Sequence, residues 1–352
     1  KALDGCNRQM LALNKLDWQE PDYKQFEAAP TQLVMALTQY VGAMTEQQAE
    51  AGAAQVGQSR LLEFYFSVLQ FLRVLDDWGE DFRFELQRQQ ADKQSLVVRL
   101  QCLDGSRLLA ERQQKPLSVT AFSATASPAH WMSNGLGFSV EAVFLPIASP
   151  FGESQLSVTL NTRIDTRYRQ RDHSLDELTA TIGEWLALEQ GNCIVYFPSY
   201  TYMNQVLERL RPALEQQNLL VQRSGMSEQE RADLIDQLRR ESGQIAFCIL
   251  GGVFGEGVDL PGAALSSVVI VGVGLPQFNR DTQNRREYYQ SNHGQGFEYT
   301  YLYPGMQKVS QALGRVIRGP EDVGRALLID SRYRDRAYRE LLPAWWHYSR
   351  ES

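Results

Sequence analysis

Gln311, Arg315 and Arg318 fall at i, i+4 and i+7 of the stretch QALGRVIRG, residues 311–319. That spacing puts all three on one face of a helix. Met306, Val309, Leu313 and Val316 recur on the opposite side, so the pattern predicts a helix that buries an aliphatic stripe and aims a glutamine and two guanidiniums away from the core. An arginine stays protonated at any biological pH, and its planar fork matches phosphate oxygens. Gly314 lies among the three. Inside a helix it costs about 1 kcal/mol relative to alanine, a cost that close approach of a ligand or of a second backbone would explain. An exposed amphipathic helix with ordinary surface arginines is the plain alternative.

Other stretches combine residue types that suit anionic ligands. GGVFGEGVDLPG, residues 251–262, directly follows the apolar run QIAFCIL. Its glycines permit tight turns and close approach, while Glu256 and Asp259 can accept hydrogen bonds from a ribose hydroxyl or an arginine. VYFPSY, residues 195–200, ends in Ser199 and Tyr200; the serine hydroxyl can donate to a phosphate oxygen, and a helix starting there offers free N–H groups, although an ordinary helix cap reads the same way. FSATASP places the small hydroxyls of Ser123 and Thr125 at the end of an apolar run. NTRIDTRYRQRDH, residues 161–173, carries Arg163, Arg167, Arg169 and Arg171 around Tyr168, a set that can neutralise phosphates and stack a base, or simply be solvated. SRYRDRAYRE, residues 331–340, reads in the same way. GAAQVGQS, residues 52–59, has the glycine spacing of a phosphate loop, but Gln58 stands where lysine is required and no strand precedes it. It reads as a helix junction.

The elements that must position these residues change along the chain. Residues 1 to 80 have apolar recurrence near the helical period. FRFELQR (82–88) and SLVVRLQCL (95–103) predict a hairpin, and LSVTAFSATASP (117–128) a buried strand followed by a short helix through Trp131 and Met132. Beyond residue 145, strands are predicted at 192–198, 219–224, 244–250, 266–273 and 324–330, with helices between them. Alternation of this kind is the signature of a parallel sheet with crossover helices, in which ligands gather at the carboxyl ends of the strands.

Composition bounds the possibilities. A hydrophobic content of 43% allows real cores, and a net charge of −7 argues against a broadly basic coat while leaving room for local patches. Four cysteines, Cys6, Cys102, Cys193 and Cys248, stand far apart without a CxxC pair, so neither a zinc site nor a disulfide framework is expected. No membrane span or signal peptide is expected either, which points to a cytoplasmic protein. Lys1 where a methionine would stand suggests a fragment or a processed chain.

In order, SAT at 123–125, VYFPSY, GGVFGEGVDLPG and QALGRVIRG resemble motifs III to VI of superfamily 2 helicases. FGEGVDLPG, then VVIVGVGLP, then QALGRVIRG resemble more narrowly the XPD and DinG group of iron-sulfur DNA helicases, as does CLDGSRLLAER. The resemblance covers residues 100–335. It implies an α/β fold: a RecA-like parallel sheet with flanking helices over 145–352 (helicase domain 2), a strand and helix of helicase domain 1 over 113–144, and a mainly helical arch-like domain with a small β-hairpin over 1–112. It further implies ATP-driven 5′ to 3′ movement on single-stranded DNA. Gln311, Arg315 and Arg318 would then act on the transferring phosphoryl group, with Gly314 letting the nucleotide close in. Glu256, Gly257 and Asp259 would link nucleotide state to DNA, and Ser123 and Thr125 would couple hydrolysis to domain movement. Ser199, Tyr200, Arg163 and Arg167 would contact DNA. ATP and Mg²⁺ would be shared with a first motor domain. No GxxxxGK[ST], acidic box or four-cysteine cluster is present, so the [4Fe–4S] cluster is expected only outside this chain, which alone should not hydrolyse ATP. A monomer and DNA-repair or replication partners are expected. Two rivals are a non-catalytic DNA- or protein-binding module on a helicase-derived fold, and a metabolic enzyme using VGVGLP as a nucleotide turn. The second lacks the third glycine and the following acidic residue of a dinucleotide fingerprint.

Overall fold

In the computed structural model the described residues are 1–18, 20–51, 60–89, 92–252, 254 and 265–350. The chain divides into two compact units, Lys1–Val119 with Asn134–Val140, and Thr120–Ser133 with Glu141–Ser352.

In the first unit the helices α1 (Ala2–Asn14), α2 (Thr31–Ala51) and α3 (Arg60–Asp76) accompany a three-stranded antiparallel sheet of order β1 (Tyr23–Phe26), β2 (Phe82–Gln89), β3 (Asp92–Cys102). The alternation in FRFEL buries Phe82, Phe84 and Leu86. Phe84 and Leu86 meet Leu33, Leu37 and Tyr40 of α2 and Tyr65 and Val68 of α3 in one core. Glu85 is buried as well, and Tyr23 donates to its carboxylate at 2.7 Å. The predicted hairpin is present; β1, unpredicted, extends it. Helix α4 (Ser106–Gln113) follows β3, and α5 (Ala129–Gly135) lies where the chain passes between the units.

The buried strand predicted over 117–128 is not formed. Residues 117–123 form no strand, and Leu117 and Phe122 are almost wholly exposed. A strand needs an edge to hydrogen-bond, and none among the described residues meets it. Residues 140–147 behave alike, with Val140, Val143, Leu145 and Ile147 exposed.

The second unit is built on seven parallel strands in the order β10, β4, β9, β8, β5, β7, β6: β4 (Leu156–Asn161), β5 (Cys193–Phe197), β6 (Asn218–Val221), β7 (Gln244–Ile249), β8 (Ser267–Val271), β9 (Gly324–Ile329) and β10 (His347–Arg350). Crossover handedness decides the layering. Steps in one direction along the sheet carry α6 (Arg171–Ala187) and α7 (Tyr200–Leu210), whose apolar residues pack with Val195, Phe197 and Phe247 on one face. Steps in the return direction carry α8 (Glu228–Arg240), α9 (Arg280–His293), α10 (Tyr303–Leu313) and α11 (Arg336–Arg339); Leu234, Leu238, Met306, Val309 and Tyr338 from this side cover Ile194, Tyr196 and Ile270. The five predicted strands are all present. Because every pairing is parallel, the loops leaving β4, β5, β7, β8 and β9 share one edge. No helix among the described residues is long and apolar enough to cross a membrane.

Candidate functional site

Helix α10 is seated by backbone against backbone. The chain leaves β8 through Gly272 (φ +97°) and Gly274 (φ +65°). A Cβ on Gly274 would come within 2.5 Å of the Gly305 carbonyl oxygen, and one on Gly305 within 2.7 Å of the Val273 carbonyl oxygen. VGVGLP is therefore a docking turn for α10. A single π-turn, Glu298–Leu302, leads into the helix. Met306, Val309, Leu313 and, beyond the helix, Val316 are buried as the aliphatic stripe requires.

The polar face departs from its predicted form. The helix ends at Leu313, and Gly314 (φ −60°, ψ −5°) closes it by donating to the Ser310 carbonyl at 3.0 Å. Gly314 is thus a terminal residue, not a mid-helix one, and a Cβ there would meet only Ser310 O at 3.3 Å and Gln311 O at 3.7 Å. The turn that follows separates the trio. Gln311 is half-buried and Arg318 exposed, whereas Arg315 is 7% exposed and packed inside its own unit. One exposed face carrying all three is overturned, because the chain bends before the periodicity can carry Arg315 outward. The charge of Arg315 acts on Tyr196, whose hydroxyl donates to Phe254 O at 2.8 Å. Burial pushes that phenol far above its ordinary value, Cys248 adds to the rise and Arg315 opposes it. The Arg318 and Gly319 N–H groups both donate to the Asp322 carboxylate, at 2.8 and 2.7 Å, which shapes the turn.

Ser123 and Thr125 form a small turn in which the Thr125 N–H donates to Ser123 Oγ at 3.2 Å. Gln307 of α10 reaches it, with Nε2 at 3.5 Å from both Thr125 O and Thr125 Oγ1. Nearby, His130 Nε2 lies 3.4 Å from the Tyr303 hydroxyl, and the Trp131 ring packs 5.7 Å from that of Tyr303. The two hydroxyl residues and α10 are thus brought together within one unit. Sequence reasoning missed Gln307. It precedes Gln311 by four residues, so extending the polar stripe backward by one turn would have found it.

At the carboxyl edge of the sheet, Ser199 caps α7 by accepting the Tyr202 N–H at 3.4 Å, and the Tyr200 hydroxyl accepts from Gln222 at 3.0 Å. Arg163 and Arg167 follow β4; Arg163 Nε lies 3.9 Å from Glu177, and Arg167 Nη1 lies 3.4 Å from Asp165. Past β7, the Lys308 stem lies over Gly251 (φ +81°), where a Cβ would meet it at 2.9 Å. Glu256, Gly257 and Asp259, like the glycine stretch at 52–59, lie outside the described residues.

Among the described residues the cysteines are engaged or buried apart from one another. Cys6 donates to Ala36 O and Cys102 to Asp104 O, while Cys193 and Cys248 lie buried on β5 and β7. No three His, Cys, Asp or Glu side chains converge among the described residues.

Residues 182–349 match the helicase C-terminal domain family. Over 205 residues the chain is 32% identical to the ATP-dependent DNA helicase DinG of Photobacterium profundum, a match covering 56% of this chain and 29% of the relative. Over this segment the chain is thus similar to the C-terminal domain of helicases. Over 271 residues it is 23% identical to the yeast (Saccharomyces cerevisiae) general transcription and DNA repair factor IIH helicase subunit XPD/RAD3, covering 71% of this chain and 34% of that one. The matches thus span about a third of these relatives' length. Among solved structures, an XPD helicase superposes with TM-score 0.61 at 17% identity, covering 99% of this chain and 63% of that one. The Xpd4 of S. tokodaii also gives TM-score 0.61, at 14% identity, covering 99% and 66%. At such identities the structural likeness establishes the fold, a RecA-like parallel sheet with flanking helices and, as a separate unit, a small antiparallel sheet with its own helices.

Proposed function

We propose that this helicase domain works as the second motor domain of an ATP-dependent DNA helicase moving 5′ to 3′ on single-stranded DNA, with ATP and Mg²⁺ shared with a first motor domain. The observation that carries the reading is the seating of α10: clamped to the loop after β8 by Gly274 and Gly305, and tied by Gln307 to the Thr125 turn. A helix held at both places can move a nucleotide-facing end together with a DNA-facing one. Gln311 and the exposed Arg318 would meet the triphosphate, with Gly314 beside it. Arg315, in the state described here, would position the segment after β7 that contains Glu256, Gly257 and Asp259. Ser123 and Thr125 would couple hydrolysis to movement, and Ser199, Tyr200, Arg163 and Arg167 would contact DNA. The exposed apolar runs at 117–122 and 140–147 support this reading, since they have the character of strands awaiting the sheet of a first motor domain.

The chain alone should not turn over ATP. In a protein carrying both motor domains, Arg318→Ala should abolish unwinding and lower ATP turnover by about 10³-fold or more, the usual effect of losing an arginine finger, while leaving DNA affinity intact. Full unwinding by that variant would end the proposal. The rival, a non-catalytic binding module, would instead show nucleotide-independent DNA binding even with the other motor domain supplied.

A further inference from the structure

One guanidinium at the carboxyl edge of the seven-stranded sheet is half-buried without an acidic partner. Arg171, the first residue of α6, donates from Nε to the Thr166 carbonyl at 3.1 Å and reaches Ser199 Oγ at 3.5 Å. Its guanidinium lies 4.6 Å from the Tyr202 ring centre and 5.6 Å from that of Tyr168. The nearby carboxylate is already engaged, because Asp330 accepts from Arg332 Nε and Nη2 at 2.8 Å each and from the Thr166 hydroxyl. Among the described residues Arg171 makes no ion pair, and its Nη2 donors have no protein acceptor. Burial works against its charge and the Arg332 cation adds to the cost, while the hydroxyl groups of Tyr202 and Tyr168 and the Asp330 carboxylate partly offset it. An arginine does not escape such a setting by losing its proton. An anion relieves it instead.

Tyr168 stands beside this cation with 84% of its surface exposed. An open aromatic face next to a half-buried guanidinium and a serine hydroxyl has the parts of a single-strand subsite: a charge for the backbone and a ring for an unpaired base. We propose that Arg171 and Ser199 hold one backbone phosphate of single-stranded DNA while the Tyr168 ring stacks on the adjacent base. This rests on the helicase reading and adds to it two residues, Arg171 and Tyr168, and a register between them. A duplex is a poor fit, because its bases present no free face.

The test is fluorescence anisotropy of a labelled oligothymidylate with the 352-residue chain over a salt series. Arg171→Gln should weaken binding and reduce the slope of log affinity against log salt by about 0.7, the value of one lost phosphate contact on a single strand. Arg171→Lys should restore most of the slope. Tyr168→Ala should weaken binding about five-fold or more at every salt concentration without altering the slope, and Tyr168→Trp should restore it. Binding to the matching duplex should be indifferent to Tyr168→Ala. An unchanged slope in Arg171→Gln, undiminished affinity in Tyr168→Ala, or an equal loss on duplex would each overturn the subsite while leaving the helicase reading standing. No single-strand binding by the unaltered chain would overturn both. Tyr168 is exposed, so its replacement decides the matter even if Arg171→Gln fails to fold.

Discussion

Replacing Gly314 with alanine should separate what the fold wants from what the nucleotide wants. With φ −60° and ψ −5°, Gly314 occupies a conformation that any residue adopts. A new methyl group would meet the Ser310 carbonyl oxygen at 3.3 Å and that of Gln311 at 3.7 Å, contacts that a shift of a few tenths of an ångström relieves. Alanine also restricts the unfolded chain, which is worth about 0.4–1 kcal/mol where the native backbone accepts it. For a unit of this size, that raises the unfolding midpoint by about 1–4 °C. Gly314→Ala should therefore be neutral or stabilising in thermal and urea unfolding of this chain. In a protein with both motor domains the same methyl group should obstruct the nucleotide and lower ATP turnover. A rise in stability joined to a loss of turnover places Gly314 against the ligand. Undiminished turnover would refute that placement, and a marked loss of stability would refute the backbone geometry.

Gly305→Ala should behave oppositely. Its methyl group would press on backbone at Val273 and Leu275, and overpacking of about 1–3 kcal/mol outweighs the helical gain of about 1 kcal/mol, so the urea midpoint should fall. Asp330→Ala should cost about 3–5 kcal/mol in equilibrium unfolding, because Arg332, only 16% exposed, loses both of its contacts to that carboxylate. Burial pushes the Cys193 thiol up to about 12, partly opposed by the neighbouring Ser267 side chain. The folded state thus favours the protonated thiol. Its contribution is complete below the ordinary value of 9.0 and is lost as pH rises from there toward about 12; stability measured across that window should decline, and Cys193 should resist thiol reagents until the chain unfolds, after the half-exposed Cys102 has reacted.

Much of the architecture was legible because it rests on short-range patterns. Continuous apolar runs such as CIVYF and SVVIV mark strands buried on both faces, and the hairpin at 82–102 follows from alternation. β4 and β10 escaped notice: LSVTLN dilutes its apolar residues with serine, threonine and asparagine, and HYSR has hardly any. The run at 117–128 was misread in the other direction. It has a strand's composition, yet lacks the neighbouring edge that would make it one. At the site, α10 meets the Thr125 turn through Gln307, and Arg315 lies inward.

The order of residues along the chain by itself determined most of the helices and five strands of the second unit, which side chains are apolar, and that Gln311, Arg315 and Arg318 are spaced within reach of one another. Only the tertiary structure decided that α10 stops at Leu313, that Gly274 and Gly305 touch, that Arg315 is enclosed, and that Asp330 is engaged by Arg332 and Thr166 while Arg171 has no acidic partner among the described residues. Periodicity is a local property, set by the rise and rotation of each residue. Enclosure and pairing depend on what the rest of the chain places opposite, and strands far apart in sequence supply it.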